Sequence, residues 1–121
     1  MTPNHGQVRT AAILGALAVI LGAFGAHALA DLLAKNGTLE VWKTASQYHF
    51  LHALALLIIG ATGLRSSCGF CCLLGGTIVF SGSLYLLAVT NLKWLGAITP
   101  FGGVLMIVGW LLLAFKAGRQ T

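Results

Sequence analysis

Four apolar stretches separated by short polar segments organise this sequence. The first runs from about Thr10 to Ala30 and is preceded by Arg9. The second runs from about Gln47 to Leu64 and stops at Arg65. The third covers about Phe70 to Thr90, and the fourth runs from about Pro100 to Phe115 and stops at Lys116. None alternates with period two, and each is about twice the length of a barrel strand, so all four read as helices. A helix needs about 20 apolar residues to cross a bilayer, and the fourth stretch lies near the short limit of roughly 17. The pattern predicts an all-α membrane protein with four transmembrane helices in a compact bundle. It forms a single polytopic domain over residues 1–121, with spans at about 10–30, 47–64, 70–90 and 100–115.

The connections carry their own signals. Asn36-Gly37 marks a turn, and Thr38 can cap the helix that follows. Leu39 to Ser46 reads as a short amphipathic interfacial helix between the first and second spans, anchored by Trp42 and able to run straight into the second. Asn91 to Trp94 reads as an interfacial turn, and Thr99-Pro100 as a helix start. Arg9, a short apolar core and Ala26-His27-Ala28 also resemble a cleavable signal peptide. The stretch is long enough to span, and a retained helix is the expectation.

Composition strengthens the membrane reading. Of 121 residues, 58% are hydrophobic and only 7% charged, and the mean hydropathy is +0.92. A soluble domain carries roughly 25% charged residues, so a soluble monomer is excluded, and so is a disordered chain. The net charge of +5 would suggest nucleic acid in a soluble protein. Here the basic residues are scattered at the ends of apolar stretches, where they meet headgroups, and nucleic-acid binding is not expected. With four spans, Arg9, Arg65, Lys116 and Arg119 lie on one side, against Lys35, Lys43 and Lys93 on the other. The excess of Lys and Arg favours both termini in the cytoplasm.

Helices in lipid associate through close backbone approach at small residues. Gly15, Gly22 and Gly25 in the first span, Gly82 in the third, and Gly102 and Gly103 in the fourth are the candidate packing positions. Ser81, Ser83 and Thr90 are expected to bond helix carbonyls or to bridge helices, and Trp110 to pack.

Chemistry, where there is any, rests on a few polar side chains. His27 and Asp31 are four residues apart, and His49 and His52 three apart, so each pair shares a helix face. If the second span starts near Gln47, these residues lie within one to two turns of the outer boundary. They can then converge with Tyr85 into one cluster. A metal, cofactor or proton site is one reading, because histidine is the commonest metal ligand. The plainer reading, and the expectation, is a hydrogen-bonding cluster that satisfies polar groups in lipid, with no metal and no cofactor. Cys68, Cys71 and Cys72 form a CxxCC group with no second pair. They read as small apolar filler, with acylation or redox sensing as the alternative. No phosphate loop, hydrolase constellation or mid-span charge is present.

Three strings are distinctive together: Gly22-Ala23-Phe24-Gly25-Ala26-His27-Ala28-Leu29, then Tyr48 to Leu57, then Phe80-Ser81-Gly82-Ser83-Leu84-Tyr85. Ile98 to Gly103 and Gly109-Trp110 complete the pattern. From about Ala11 to Ala114 the chain resembles the bacterial membrane family called domain of unknown function 423, and its eukaryotic relative, transmembrane protein 256. The resemblance implies a small four-helix membrane protein with no agreed activity. His27 and His52 match the family's histidines, whereas glutamine can occur at the position of His49.

The expected function is that of a small, non-enzymatic integral membrane protein of a bacterial plasma (inner) membrane. It would act structurally, or as an interaction or accessory protein, through helix packing. Its partners would be the lipid bilayer and either further copies of itself or a larger membrane complex. The alternatives are a binder of a metal, cofactor or lipid-like ligand at the histidine cluster, and a minimal transporter built from several copies.

Overall fold

In a computed structural model, which describes residues 2–64 and 67–120, the chain is all helical. Five α-helices follow in order: α1 (His5–Ala26), α2 (Ala30–Asn36), α3 (Leu39–Thr62), α4 (Ser67–Thr90) and α5 (Thr99–Gln120), with a 3-10 turn at Lys93–Ala97 before α5. Among the described residues three segments are long and apolar enough to cross a membrane: His5–Ala26, Ser67–Thr90 and Lys93–Lys116. At 24 residues α3 is as long as α4. Gln47, Tyr48, His49 and His52 lower its apolarity, and it falls outside that group.

Leu39 to Ser46 is helical and runs straight into the second span, one of the two arrangements the sequence allows, and a separate short helix precedes it. The short helix between α1 and α3 is Ala30–Asn36, closed by Gly37 in the left-handed region at φ 68°. Leu39 to Ser46 forms the first two turns of α3 itself. Trp42 is consequently no surface anchor: it is 4% exposed, and its indole nitrogen donates to the Leu21 carbonyl at 3.1 Å. Thr38 makes no cap to its own helix. Its hydroxyl donates to Ala88 O at 2.7 Å, and Asn36 Nδ2 donates to the same carbonyl at 3.1 Å. Ala88 lies in the last turn of α4, where helix carbonyls lack intrahelical partners. The connection therefore caps the end of α4.

The long helices pack as a row rather than as the expected compact bundle. α1 packs on α3, α3 on α4 and α4 on α5; among the described residues α1 has no close backbone contact with α4 or α5. Trp42 beside Leu21, and Asn4 N–H bonded to Gly60 O at 2.8 Å, define an antiparallel α1/α3 register. Two buried apolar clusters lie at different levels. One holds Ala11, Leu56, Ile59, Phe70, Leu73, Met106 and Leu113. The other holds Leu33, Trp42 and Ala88. The outer faces of α1 and α5 carry exposed Ile13, Val19, Phe24, Phe101, Ile107 and Phe115, as lipid contact requires.

Glycine contacts follow the register, and they divide the candidate positions. A side chain at Gly25 would collide with the Trp42 ring. One at Gly102 would meet the backbone of Phe80 and, at 2.8 Å, Gly76 O. At Gly103 it would make an ordinary contact with the Phe80 ring at 3.7 Å. At Gly15, Gly22 and Gly82 nothing lies within 4 Å, so these three do not pack helices within the chain. Gly60, Gly76 and Gly109 do, against Val8, Met106 and Leu73 respectively. Helical spacing brings several small residues onto a face, but only the register decides which of them meets a neighbour.

Candidate functional site

Between the two apolar clusters, along α3, lies a belt of polar and aromatic side chains. His49 and His52 belong to it, and both are buried. His49 Nε2 lies 2.9 Å from the Leu14 carbonyl of α1, and its Nδ1 lies 2.9 Å from the Tyr85 hydroxyl of α4. A carbonyl only accepts, so Nε2 carries the proton, and Nδ1 accepts from the phenol. Access to Leu14 O depends on small neighbours: Ala18, the next residue up that helix row, is 5% exposed and carries only a methyl. His49 thus ties α1, α3 and α4 together through one ring. Ser46 lies 3.4 Å from the Tyr85 hydroxyl, and Ser81 Oγ donates from α4 to Ala45 O of α3 at 2.9 Å.

His52 faces the other way. Its Nδ1–H donates to Tyr48 O, one turn back, at 2.9 Å, and its Nε2 accepts from the Trp110 indole N–H of α5 at 3.1 Å. The opposite tautomer from that of His49 is therefore fixed by the partners. Tyr48, Phe80 and Trp110 surround this ring: Tyr48 stacks on His52 at 6.1 Å, Tyr48 meets Phe80 at 4.8 Å, and Trp110 meets His52 edge-on at 5.7 Å. Trp110, expected only to pack, is half-exposed and supplies the polar link between α3 and α5. The sequence signal for it was the Gly109-Trp110 pair, which carries no information about a partner 58 residues away. Trp110→Phe removes that donor but keeps an aromatic ring. It is expected to cost about 0.6 and at most about 1.7 kcal/mol, the range for a hydrogen bond between membrane helices, read by thermal unfolding in detergent.

The five-residue convergence expected from sequence does not form. His27 caps the end of α1 and is exposed, as is Asp31 on α2. Among the described residues neither is bonded to His49, His52 or Tyr85, and no group of three or more His, Cys, Asp or Glu could hold a metal ion. The reason is the early start of α3. Because it begins at Leu39, His49 lies about 15 Å into the helix at 1.5 Å per residue. It meets α1 at Leu14, thirteen residues and about 20 Å from His27. Of the expected cluster, among the described residues, only His49 and Tyr85 are bonded to each other; His52 shares α3 with His49 but has different partners.

The cysteine group is also not core filler. Cys68 and Cys71 are exposed and Cys72 is half-buried, all as free thiols. Cys68 lines a cleft of about 820 Å³ at the far end of the molecule, between the start of α1 and the end of α5, with Asn4, Gln7, Leu112, Phe115 and Lys116. It lies away from the histidine belt and gathers no set of catalytic groups.

Residues 21–103 match the family described as Protein of unknown function (DUF423). The chain belongs to the DUF423 family. Its relatives include the UPF0382 membrane protein of Staphylococcus epidermidis, 48% identical over 84% of this chain and 88% of the relative. The UPF0382 membrane protein SSP2132 of Staphylococcus saprophyticus is 49% identical over 84% of this chain and 90% of its own length. The UPF0382 membrane protein YwdK of Bacillus subtilis is 43% identical over 87% of this chain and 93% of its own length. No solved structure matches the chain. The DUF423 chain described here is thus a membrane protein with apolar helices long enough to span, and the family description assigns no biochemical activity.

Proposed function

We propose that this DUF423 protein is a four-span protein of the bacterial inner membrane. Both termini face the cytoplasm, and it acts as a non-enzymatic packing and interaction unit. The observation that carries the proposal is that its buried polar groups are already spent. Both nitrogens of His49 and both of His52 have partners within the chain. Among the described residues no buried side-chain nitrogen or oxygen lacks a hydrogen bond. A ligand or substrate would need a free lone pair or donor in the belt, and these rings offer none. The row of helices also leaves α1 and α5 each packed on one side only, a shape suited to contact with further helices.

The fourth span is α3. Its 24 residues rise about 36 Å, against a hydrocarbon core of about 30 Å. The polar residues that reduce its apolarity include His49 and His52, which are bonded inward, so they cost little in lipid. The excess of Lys and Arg on one side, Arg9, Arg65, Lys116 and Arg119 against Lys35, Lys43 and Lys93, supports the orientation.

Two measurements test this reading. Thiols introduced at Asn4 and Gln120 are expected to label from the cytoplasm, and one at Lys35 from outside; labelling of Lys35 from the cytoplasm would reverse the orientation. Elemental analysis of the purified protein is expected to find no stoichiometric transition metal. About one metal per chain, lost on His49→Gln, would replace the packing role by metal binding, because that glutamine keeps hydrogen bonding but ligates zinc or copper poorly.

A further inference from the structure

Gln47 is the polar side chain that the histidine belt does not absorb. It lies at the centre of the exposed face of α3, with Lys43 one turn before it and Phe50, Leu51 and Leu54 one to two turns after. Its depth is bracketed on both sides. Two residues before it, Ala45 O accepts from Ser81 of α4; two residues after it, His49 bonds Leu14 in the middle of α1. With α3 as a span, Gln47 is about 12 Å from the start of the helix, roughly 9 Å below the hydrocarbon surface. Its amide makes no hydrogen bond to the described residues, although Ser46, His49 and Tyr85 close by all do. A carboxamide in hydrocarbon without a partner is costly, and from this depth it cannot reach water.

We infer that the exposed face of α3 is a self-association surface, in which Gln47 pairs with Gln47 of a second copy across a two-fold axis normal to the membrane. This rests on α3 being a span. The carboxamide carries both a donor and an acceptor, so an identical amide satisfies both at once. Copies inserted with one orientation present Gln47 at one depth, which is the geometry a cyclic dimer requires. Phe50, Leu54 and Ile58, 43–62% exposed, continue the face below the amide and supply the packing that holds two helices together. Lys43, one turn towards the outer surface, lies 3.5 Å from Glu40 of its own helix, which offsets its charge against the partner's lysine.

The test uses the full chain in liposomes, with Cys68, Cys71 and Cys72 changed to serine. Single thiols at Phe50 or Leu54 are expected to form a disulfide-linked dimer on oxidation, and one at Leu111, on the exposed face of α5, is not. Energy transfer between labelled copies, read as the protein is diluted in lipid, gives the dimer dissociation constant. Gln47→Leu removes both hydrogen bonds of the amide pair and is expected to weaken the dimer about eightfold to three-hundredfold, at about threefold to twentyfold for each bond between membrane helices. Gln47→Asn should retain most of the affinity. The unfolding temperature of Gln47→Leu measured at monomer dilution should not fall, because the amide has no partner among the described residues; a fall would assign Gln47 to the fold. A monomer at every density, equal cross-linking through Leu111, or an unchanged dimer in Gln47→Leu would each overturn the pairing. Labelling of thiols at Lys35 and Thr62 from opposite sides of the bilayer checks the span separately, so a monomeric protein with that topology overturns the pairing alone.

Discussion

Gly102→Leu is expected to destabilise the protein by about 3 kcal/mol, the upper end of the usual cost of overpacking. The clash cannot relax through a side chain. Any atom on the Gly102 Cα meets the Phe80 backbone, and Gly76 O lies 2.8 Å from the first carbon added. The reciprocal contact is as close, with Gly102 O 2.8 Å and Met106 N 2.7 Å from a carbon built on Gly76. About two turns on from Gly102 along the same seam, a carbon built on Gly109 would meet Leu73 at 2.8 Å. α4 and α5 therefore touch backbone to backbone, and separating them also pulls Trp110 away from His52. Gly82→Leu is the control. It lies on α4 in open space, so a leucine there should face lipid and leave unfolding unchanged. Denaturation in detergent compares the two variants directly, and equal losses would show that the α4/α5 contact is not where the stability resides.

The contrast between Gly82 and Gly102 also shows what the sequence could carry. Apolar length and the lack of alternation made four long helices legible, because in lipid every backbone group must be bonded within the element. Helix ends were less so. The hydropathy of the second stretch begins near Gln47, but the backbone is helical from Leu39, since the polar residues Glu40, Lys43 and Thr44 are sound helix formers or surface residues at the first turns. That shift of two turns moved His49 and His52 from the expected outer boundary to the middle of α3, and it separated them from His27 and Asp31.

Trp42 was misread for the same reason. As the start of a surface helix it suggested an anchor. In the first turn of a packed helix it meets Gly25, whose missing side chain uncovers the Leu21 carbonyl for the indole N–H. The glycine and the tryptophan are both plain in the sequence, but their pairing is a property of register. Serines were the reverse case. The expectation that Ser81 and Ser83 bond across helices or to helix carbonyls was borne out, because a hydroxyl in lipid has few other partners: Ser81 reaches Ala45 O at 2.9 Å, and Ser83 lies 2.6 Å from the Thr99 hydroxyl.

His49 is where the difference between a structural and a ligating imidazole becomes measurable. His49→Leu removes the donor to Leu14 O and the acceptor for Tyr85. At about 0.6 to 1.7 kcal/mol for each such bond, the expected loss is about 1–3 kcal/mol. Tyr85 is then left with Ser46 at 3.4 Å as its remaining partner. His49→Gln should lose far less. Its amide nitrogen can donate where Nε2 did, and its amide oxygen can accept where Nδ1 did, so both bonds persist with an uncharged side chain. A double-mutant cycle isolates the bond itself. Tyr85→Phe is expected to cost little once His49 is leucine, and more while His49 or Gln is present, because the two changes then act on one interaction. Additive losses would mean that the ring and the phenol stabilise the helices independently. A glutamine variant as unstable as the leucine variant would mean that the shape of the imidazole between α1 and α4, rather than its hydrogen bonds, holds the belt together.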